Sequence, residues 1–375
     1  MMFPKAPSTD IDWSNIGLQG YELTSHVEST YHAETGIWSP PKTVQSPYLQ
    51  VHGLAPGLNY GQQCFEGLKA CRTSDNRLLI FRPQDHARRM AHSAAVASMP
   101  AVPEAHFLAC VQQAVGANSA YVPPHDSTAV LYIRPMLFGS GPQIGLVPPK
   151  TFTFCVYVLP ASAYHGESAQ KAVVLEGFDR AAPRGVGHAK LGGNYAPVLR
   201  WMDQARRDGY GITLHLDSAT HTYIDEFSTS AFLGVREAGG RFTLVVPQSS
   251  NIIESVTSNT CATLAKALGW EVEYKELPFE EIQTLSEVMA VGTAALLVPI
   301  REIYRPSTKL TVVYQDGGEA PGPACRILRK AIENIMRGRI PDQWQWCVPV
   351  VAEAEMDTPM DGGESSSKQA VEVKA

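Results

Sequence analysis

A chain of 375 residues with 44 % hydrophobic content has enough material to bury more than one core, which excludes a small stapled module and suits two domains. Its net charge of −6 is spread over 31 basic and 37 acidic residues, leaving no basic face to neutralise nucleic-acid phosphates. Seven cysteines at scattered spacings, with no Cys-x-x-Cys pair, argue against a metal or disulfide framework and read as buried thiols in a reducing compartment.

Residues 1 to 58 are rich in turn formers and predict a wrapping arm with a strand or two; Met1 to Asp12 lacks the apolar core of a secretory signal. Leu58 to Cys71 and Arg77 to Pro83 predict strands joined by a turn. After Pro83, Asp85 to Ser98 predicts a helix, and Pro103 to Gly116 a second. Ala129 to Phe138 and Thr151 to Leu159 are β-branched and aromatic, as buried strands are. A small, polar stretch follows, so the expected domains are 1–163, a link at 164–182, and 183–351.

In the second half, Lys171 to Phe178 predicts a strand and Asn194 to Asp208 a helix stopped by Gly209. Ile212–Leu216, Thr222–Asp225, Phe232–Val235 and Phe242–Val246 read as an antiparallel meander with a barrel-like curl. Helices are expected at Asn259 to Leu268, Phe279 to about Leu285 and Ala324 to Arg337. The apolar run Val288 to Ile300 is too short to span a bilayer, so a soluble, cytoplasmic protein is expected. Residues 352–375 are acidic and Ser-rich, and predict a disordered tail.

Chemistry gathers around Gly187-His188-Ala189-Lys190-Leu191-Gly192-Gly193-Asn194-Tyr195. An amine beside two glycines suits a Schiff base with a flat aldehyde, the glycines giving space for its ring. Four distant features would serve such a ligand if it carried a phosphate. Ser255 to Ser258 opens a helix, where free amides and the dipole favour an anion. Arg89 offers a permanent charge, and Thr293 a hydroxyl among small residues. Glu226, in Ile224-Asp225-Glu226-Phe227, is an acid in an apolar strand and wants a cationic partner, such as a protonated ring nitrogen. Each has a plainer reading: a surface lysine, helix capping, a solvated arginine, small-residue packing, a structural salt bridge.

Taken together, five segments resemble the branched-chain amino acid aminotransferases of the fold-type IV pyridoxal phosphate enzymes. They are Phe65-Glu66-Gly67-Leu68-Lys69-Ala70, Phe81-Arg82-Pro83 with Arg89-Met90, Leu131-Tyr132-Ile133-Arg134-Pro135, Lys190 to Tyr195, and Gly292-Thr293-Ala294-Ala295, in family order over residues 20 to 350. The resemblance implies an α/β (α+β) fold with a smaller N-terminal domain and a larger pseudo-barrel domain. It also implies pyridoxal 5′-phosphate as cofactor and a homodimer with sites near the subunit interface. Lys190 would carry the cofactor aldehyde and shuttle the substrate proton. Tyr195 would bond the phenolic oxygen and Glu226 the ring nitrogen, while Arg89, the amides of Val256 and Thr257, and Thr293 would hold the phosphate. Tyr60, Phe65, Tyr132 and Tyr164 would wall an apolar substrate pocket. Arg134 would meet the distal carboxylate of glutamate, and the amides of Ala294 and Ala295 the α-carboxylate.

The chain departs from the family in three places. Ser228-Thr229-Ser230-Ala231 replaces a Gly-Thr-Met-Asn-like stretch, Ser255 and Ser258 stand where a turn glycine and an arginine are common, and Leu23 replaces a pocket phenylalanine. The expected reaction moves the amino group of L-leucine, isoleucine or valine to 2-oxoglutarate. The departures motivate an alternative, a specialised aminotransferase for aromatic or unusual amino acids in a biosynthetic pathway. A non-catalytic relative is disfavoured by the intact Lys190, Tyr195 and Glu226. A hydrolase is disfavoured because no Gly-x-Ser-x-Gly elbow occurs and the histidines lack ligand spacing.

Overall fold

A computed structural model describes residues 3–17, 23, 25–162 and 168–352. Tyr164 and residues 353–375 of the expected tail lie outside them. Two nine-stranded sheets organise the chain, giving the mixed α/β architecture the motifs implied.

The first sheet is built on Val130–Gly139, antiparallel to Thr151–Ala161 from Val130↔Ala161 to Gly139↔Phe152. Leu68–Arg72 pairs with its other edge, followed by Leu78–Phe81 and, from the far end of the chain, Cys347–Pro349. Alternation sorts the faces: Leu131, Ile133 and Leu137 are buried in the core with Phe154, Val156 and Val158. Ala87, Met90 and Ala94 of the helix Pro83–Val96, with Phe107, Val111 and Ala114 of Glu104–Ala117, cover that face at helical spacing. Each large side chain so buried contributes about 1.5–3 kcal/mol. The alternate residues Tyr132 and Arg134 are left for the opposite face.

The second sheet runs Ile224–Phe227, Ile212–Leu216, Gln170–Val174, Leu296–Arg305, Glu287–Gly292, Ala231–Ala238, Arg241–Pro247, Glu271–Lys275, with Leu310–Val313 paired to Leu296–Arg305. The strands of the expected meander pair antiparallel two by two, Ile212–Leu216 with Ile224–Phe227 and Ala231–Ala238 with Arg241–Pro247, but the two pairs stand apart in a sheet that is mixed. Gln170–Val174 lies parallel to both its neighbours, and Arg241–Pro247 parallel to Glu271–Lys275. The reason is connectivity: the helices Leu199–Arg207 and Val256–Ala267 carry the chain back between parallel strands, which no tight turn can do. Both faces are covered, one by Val256–Ala267 and Pro323–Met336, the other by Phe279, Ile282 and neighbours.

The expected helix 194–208 is helical only over Leu199–Arg207. Two 3₁₀ turns, Gly192–Asn194 and Ala196–Val198, precede it, because Pro197 has no N–H to donate. The expected helix after Pro278 is likewise 3₁₀, Phe279–Thr284. The predicted link at 164–182 contains the strand Gln170–Val174 of the second sheet, while Cys347–Pro349 returns to the first. All seven cysteines are unpaired, and among the described residues no helix is long and apolar enough to cross a membrane.

Candidate active site

The Lys190 stretch is stitched to the first sheet. The Phe65 amide donates to the Lys190 carbonyl at 3.1 Å, the Lys190 amide to Ser93 Oγ at 2.9 Å, and the Gly192 amide to Gln63 Oε1 at 3.1 Å. The two glycines therefore differ: Gly193 faces open space, as expected, and Gly192 does not. A Cβ on Gly192 would stand 2.3 Å from Gln63 Oε1, so this glycine lets two segments approach rather than clearing space for a ring.

Lys190 Nζ donates to Tyr195 Oη at 2.8 Å and lies 4.6 Å from the centre of the Phe65 ring. Phe65 meets Tyr195 edge to face at 5.1 Å. Burial pushes the Tyr195 phenol up, but the Lys190 amine and the Arg180 guanidinium override it and hold the phenol below its usual range.

Glu226 is 4 % exposed and ion-paired with Arg180, whose Nε also donates to the Ser228 carbonyl at 3.1 Å. Burial lifts the Glu226 carboxyl to about 7 against the pull of Arg180 and Lys190. The cation that a buried acid required is thus present within the chain. Sequence reasoning demanded such a partner and missed Arg180, ten residues before the lysine. Behind this pair Ser228 is buried, bonded through Oγ to Thr213 and to His215 Nε2, the latter at 2.7 Å. Thr229 and Ser230 stand on the pocket wall, so the altered stretch after Glu226 keeps hydroxyls there.

At the opposite end Ser255 caps the helix Val256–Ala267, its Oγ accepting the Ser258 amide at 3.1 Å. Thr257 and Thr293 face the same space. Arg89 enters it from the helix Pro83–Val96, gripped by both oxygens of the fully buried Glu66 at 2.6 and 2.8 Å. Burial alone would raise the Glu66 carboxyl, but Arg89 and His86 hold it well below the usual carboxylate range.

These groups line one pocket, open to solvent. Of the expected cofactor residues, Arg89, Lys190, Tyr195, Glu226, Thr257 and Thr293 line it, as do Tyr132 and Ala294 on the substrate side. Others are not on the lining. The Val256 side chain is buried and its carbonyl accepts from Arg82, Ala295 is buried on the far side of its turn, and Tyr60 is 49 % exposed with its hydroxyl on the Ile144 carbonyl. Leu23 belongs to the core of the first sheet. Phe65 and Arg134 form the layer behind: the Arg134 guanidinium lies 4.9 Å from the Phe65 ring centre and donates to Tyr132 Oη at 3.2 Å. Arg134 Nε is buried with no partner among the described residues. Gly67, unremarked as a site residue, is required, since a Cβ there would stand 2.0 Å from Tyr132 Oη.

An amine on a phenol, a buried carboxyl paired with an arginine and, across the pocket, a second arginine with a helix N-terminus form a donor set that fits a flat, phosphorylated aldehyde with a ring nitrogen. The chain belongs to the class IV aminotransferases, whose family model matches residues 63–303. Membership in that family brings pyridoxal 5′-phosphate as the cofactor. Among known members, the chain is 51 % identical to the aminotransferase poxL of Penicillium oxalicum, over 93 % of this chain and 95 % of that one. It is 46 % identical to the branched-chain amino acid aminotransferase gloG of Glarea lozoyensis, over 92 % and 97 %. The crystal structure of the branched-chain amino acid aminotransferase of Escherichia coli superposes with a TM-score of 0.70 at 25 % identity, over 86 % of this chain and 98 % of that one.

Proposed function

We propose that the protein is a specialised aminotransferase, moving the amino group of an aromatic or unusual amino acid to 2-oxoglutarate in a biosynthetic pathway of the cytoplasm. The observation that carries this is a difference in likeness. Relatives half identical to the chain bear the general name aminotransferase, whereas the Escherichia coli branched-chain enzyme is only a quarter identical, and the chain departs from that family's pattern beside Glu226 and Ser255. Branched-chain amino acids are the second reading, favoured by the name of the Glarea lozoyensis relative.

Pyridoxal phosphate, when bound, supplies the electrophilic carbon and the electron-withdrawing ring that make an amino acid's α-proton removable. The chain's own groups do the rest. Lys190 Nζ takes that proton and returns it, close enough to Tyr195 to be oriented by it. Glu226, ion-paired with Arg180, keeps a proton at the ring nitrogen. Arg89, Thr293 and the amides of Val256 and Thr257 hold the phosphate at the helix N-terminus. The aromatic layer of Phe65 and Tyr132 receives an apolar side chain, and Arg134 a distal carboxylate through Tyr132. The amides of Ala294 and Ala295 take the α-carboxylate.

Tyr60 fits the expected homodimer. It lies off its own pocket on an exposed apolar face with Ile144, Leu146 and Val147, and we assign it to the pocket of a second copy. Lys190→Ala and Tyr60→Ala variants, each impaired alone, should then recover activity when mixed and refolded together; no recovery removes Tyr60 from the partner's site. The substrate reading is tested by single-turnover absorbance of the cofactor-loaded protein against a panel of L-amino acids. Aromatic or non-standard side chains should react faster than leucine, and a preference for leucine, isoleucine or valine returns the function to the branched-chain reading.

A further inference from the structure

Behind the turn that carries Thr293 and Ala294 lies a second, smaller cavity, unused by the chemistry above. The strands Leu68–Arg72 and Val130–Gly139 form one side of it and the helix Pro323–Met336, with Arg337 beyond its end, another. Ala295 and Leu296 separate it from the main pocket.

Its lining is unbalanced in charge. Lys69, Arg329 and Arg337 face a single carboxylate, Glu333. Lys69 is only 7 % exposed, and its ammonium makes no hydrogen bond among the described residues. Burial lowers it to about 8, and Arg329 and Arg337 add to that against Cys71 and Glu333. Arg329 Nε is buried without a hydrogen bond, its contact with Glu333 being a loose 3.8 Å. Arg337 is held by the carbonyls of Thr128 and Ala129 at 3.2 and 3.1 Å, which fix its position without offsetting its charge. Cys71, the other ionisable group near Lys69, is kept a neutral thiol by burial. Among the described residues three cations thus meet one carboxylate, and buried cations short of counter-charge are costly, which makes the cavity a binding site for what would offset them.

The geometry points to a second ligand site here, in which Lys69 and Arg329 donate to a small dianion, inorganic oxyanion or dicarboxylate, with Arg337 adding charge and Thr128 a hydroxyl. The site adjoins a strained element: Leu296 holds φ at 63°, a conformation unfavourable for a side chain of its size. An occupant packed against Ala295 and Leu296 stiffens the turn from behind. That consequence rests on the proposed role of Ala294 and Ala295 in holding the substrate carboxylate; binding of the dianion does not.

The test is thermal unfolding of the cofactor-loaded protein in sulfate against chloride at matched ionic strength, repeated with malonate and 2-oxoglutarate to separate the inorganic from the dicarboxylate source. A saturable rise of about 2–4 °C is expected with one of these dianions, and it should vanish in both Lys69→Met and Arg329→Gln. An anion lodged in the main pocket would give the same rise in the variants, and that result, or a rise that never saturates, overturns the proposal. Should Lys69→Met fail to fold, Arg329→Gln decides, together with crystals soaked in selenate, whose anomalous peak must fall about 4 Å from Lys69 Nζ, one selenate oxygen lying between them within hydrogen-bond distance. A protein that binds the dianion in this way but transaminates nothing keeps this site and loses the proposed function; one that transaminates without the dianion effect does the reverse.

Discussion

The two ends of the main pocket treat charge in opposite ways. At the end built by the second sheet and the Lys190 stretch, every charged group already has a partner within the chain: Glu226 has Arg180, Lys190 has Tyr195, and Arg89, reaching across, has Glu66. At the end built by the first sheet, Arg134 lies under aromatic rings with a phenol as its one hydrogen-bond partner and Nε unpartnered among the described residues. Paired charges are preorganised, so on the proposed function the first end retains the cofactor and the second leaves Arg134, reached through Tyr132, to the exchanging substrate.

Breaking the paired end should cost most. Lys190→Ala removes the proton shuttle, and steady-state turnover should fall about 10⁴-fold or more; a variant near the wild-type rate would sink the assignment of Lys190. Next comes Glu226→Gln, which keeps the shape of the carboxyl but cannot carry its charge. A marked drop in kcat is expected by steady-state kinetics, because the amide cannot hold a proton at the ring nitrogen. At the exchanging end the effect should be selective. Arg134→Gln should raise the KM for 2-oxoglutarate about 10–100-fold while changing the reaction with an apolar amino acid little, and equal losses for both would erase the distinction between the ends. Gly67→Ala forces a methyl against Tyr132 Oη and should cost about 1–3 kcal/mol of stability, read from the thermal midpoint.

The most gradual effect concerns pH. Glu226, lifted from its ordinary 4.5 to about 7, retains a proton in the folded protein over a window where the unfolded chain has lost it. The folded state binding more protons there, stability of the cofactor-free protein should fall as pH rises from about 4.5 to about 7, by at most about 1.4 kcal/mol per unit. Glu226→Gln should flatten that segment of the curve. A wild-type curve that already matches the variant's would mean that Arg180 keeps Glu226 ionised throughout.

The strands and most helices were legible in the sequence because their burial repeats at two or at three to four residues, as in Leu131-x-Ile133 and Ala87, Met90, Ala94. Strand direction was not, since Gln170–Val174 carries nothing in its residues that says which neighbours it pairs with in parallel. The site was legible where one residue type does the work, as at Lys190 and Arg89. It was opaque where a residue acts through a neighbour. Arg180 became visible only beside Glu226, and the need for Gly67 only once Tyr132 was seen across the strand pair. Tyr60 shows the remaining limit, because nothing in its surroundings in the sequence says that its side chain stays off the pocket and 49 % exposed.

The strand Cys347–Pro349 also sets an order of events during synthesis. Until it emerges from the ribosome, the first sheet, whose other strands end at residue 161, carries an open edge along Leu78–Phe81. Trp346, just before it, accepts the Arg82 amide through its carbonyl and stacks under the Arg82 guanidinium at 5.0 Å, ahead of the helix that bears Arg89. The helix that bears Arg89 is therefore seated only after residues 346–349 have been made, so a nascent chain can complete its second sheet before the pocket is finished.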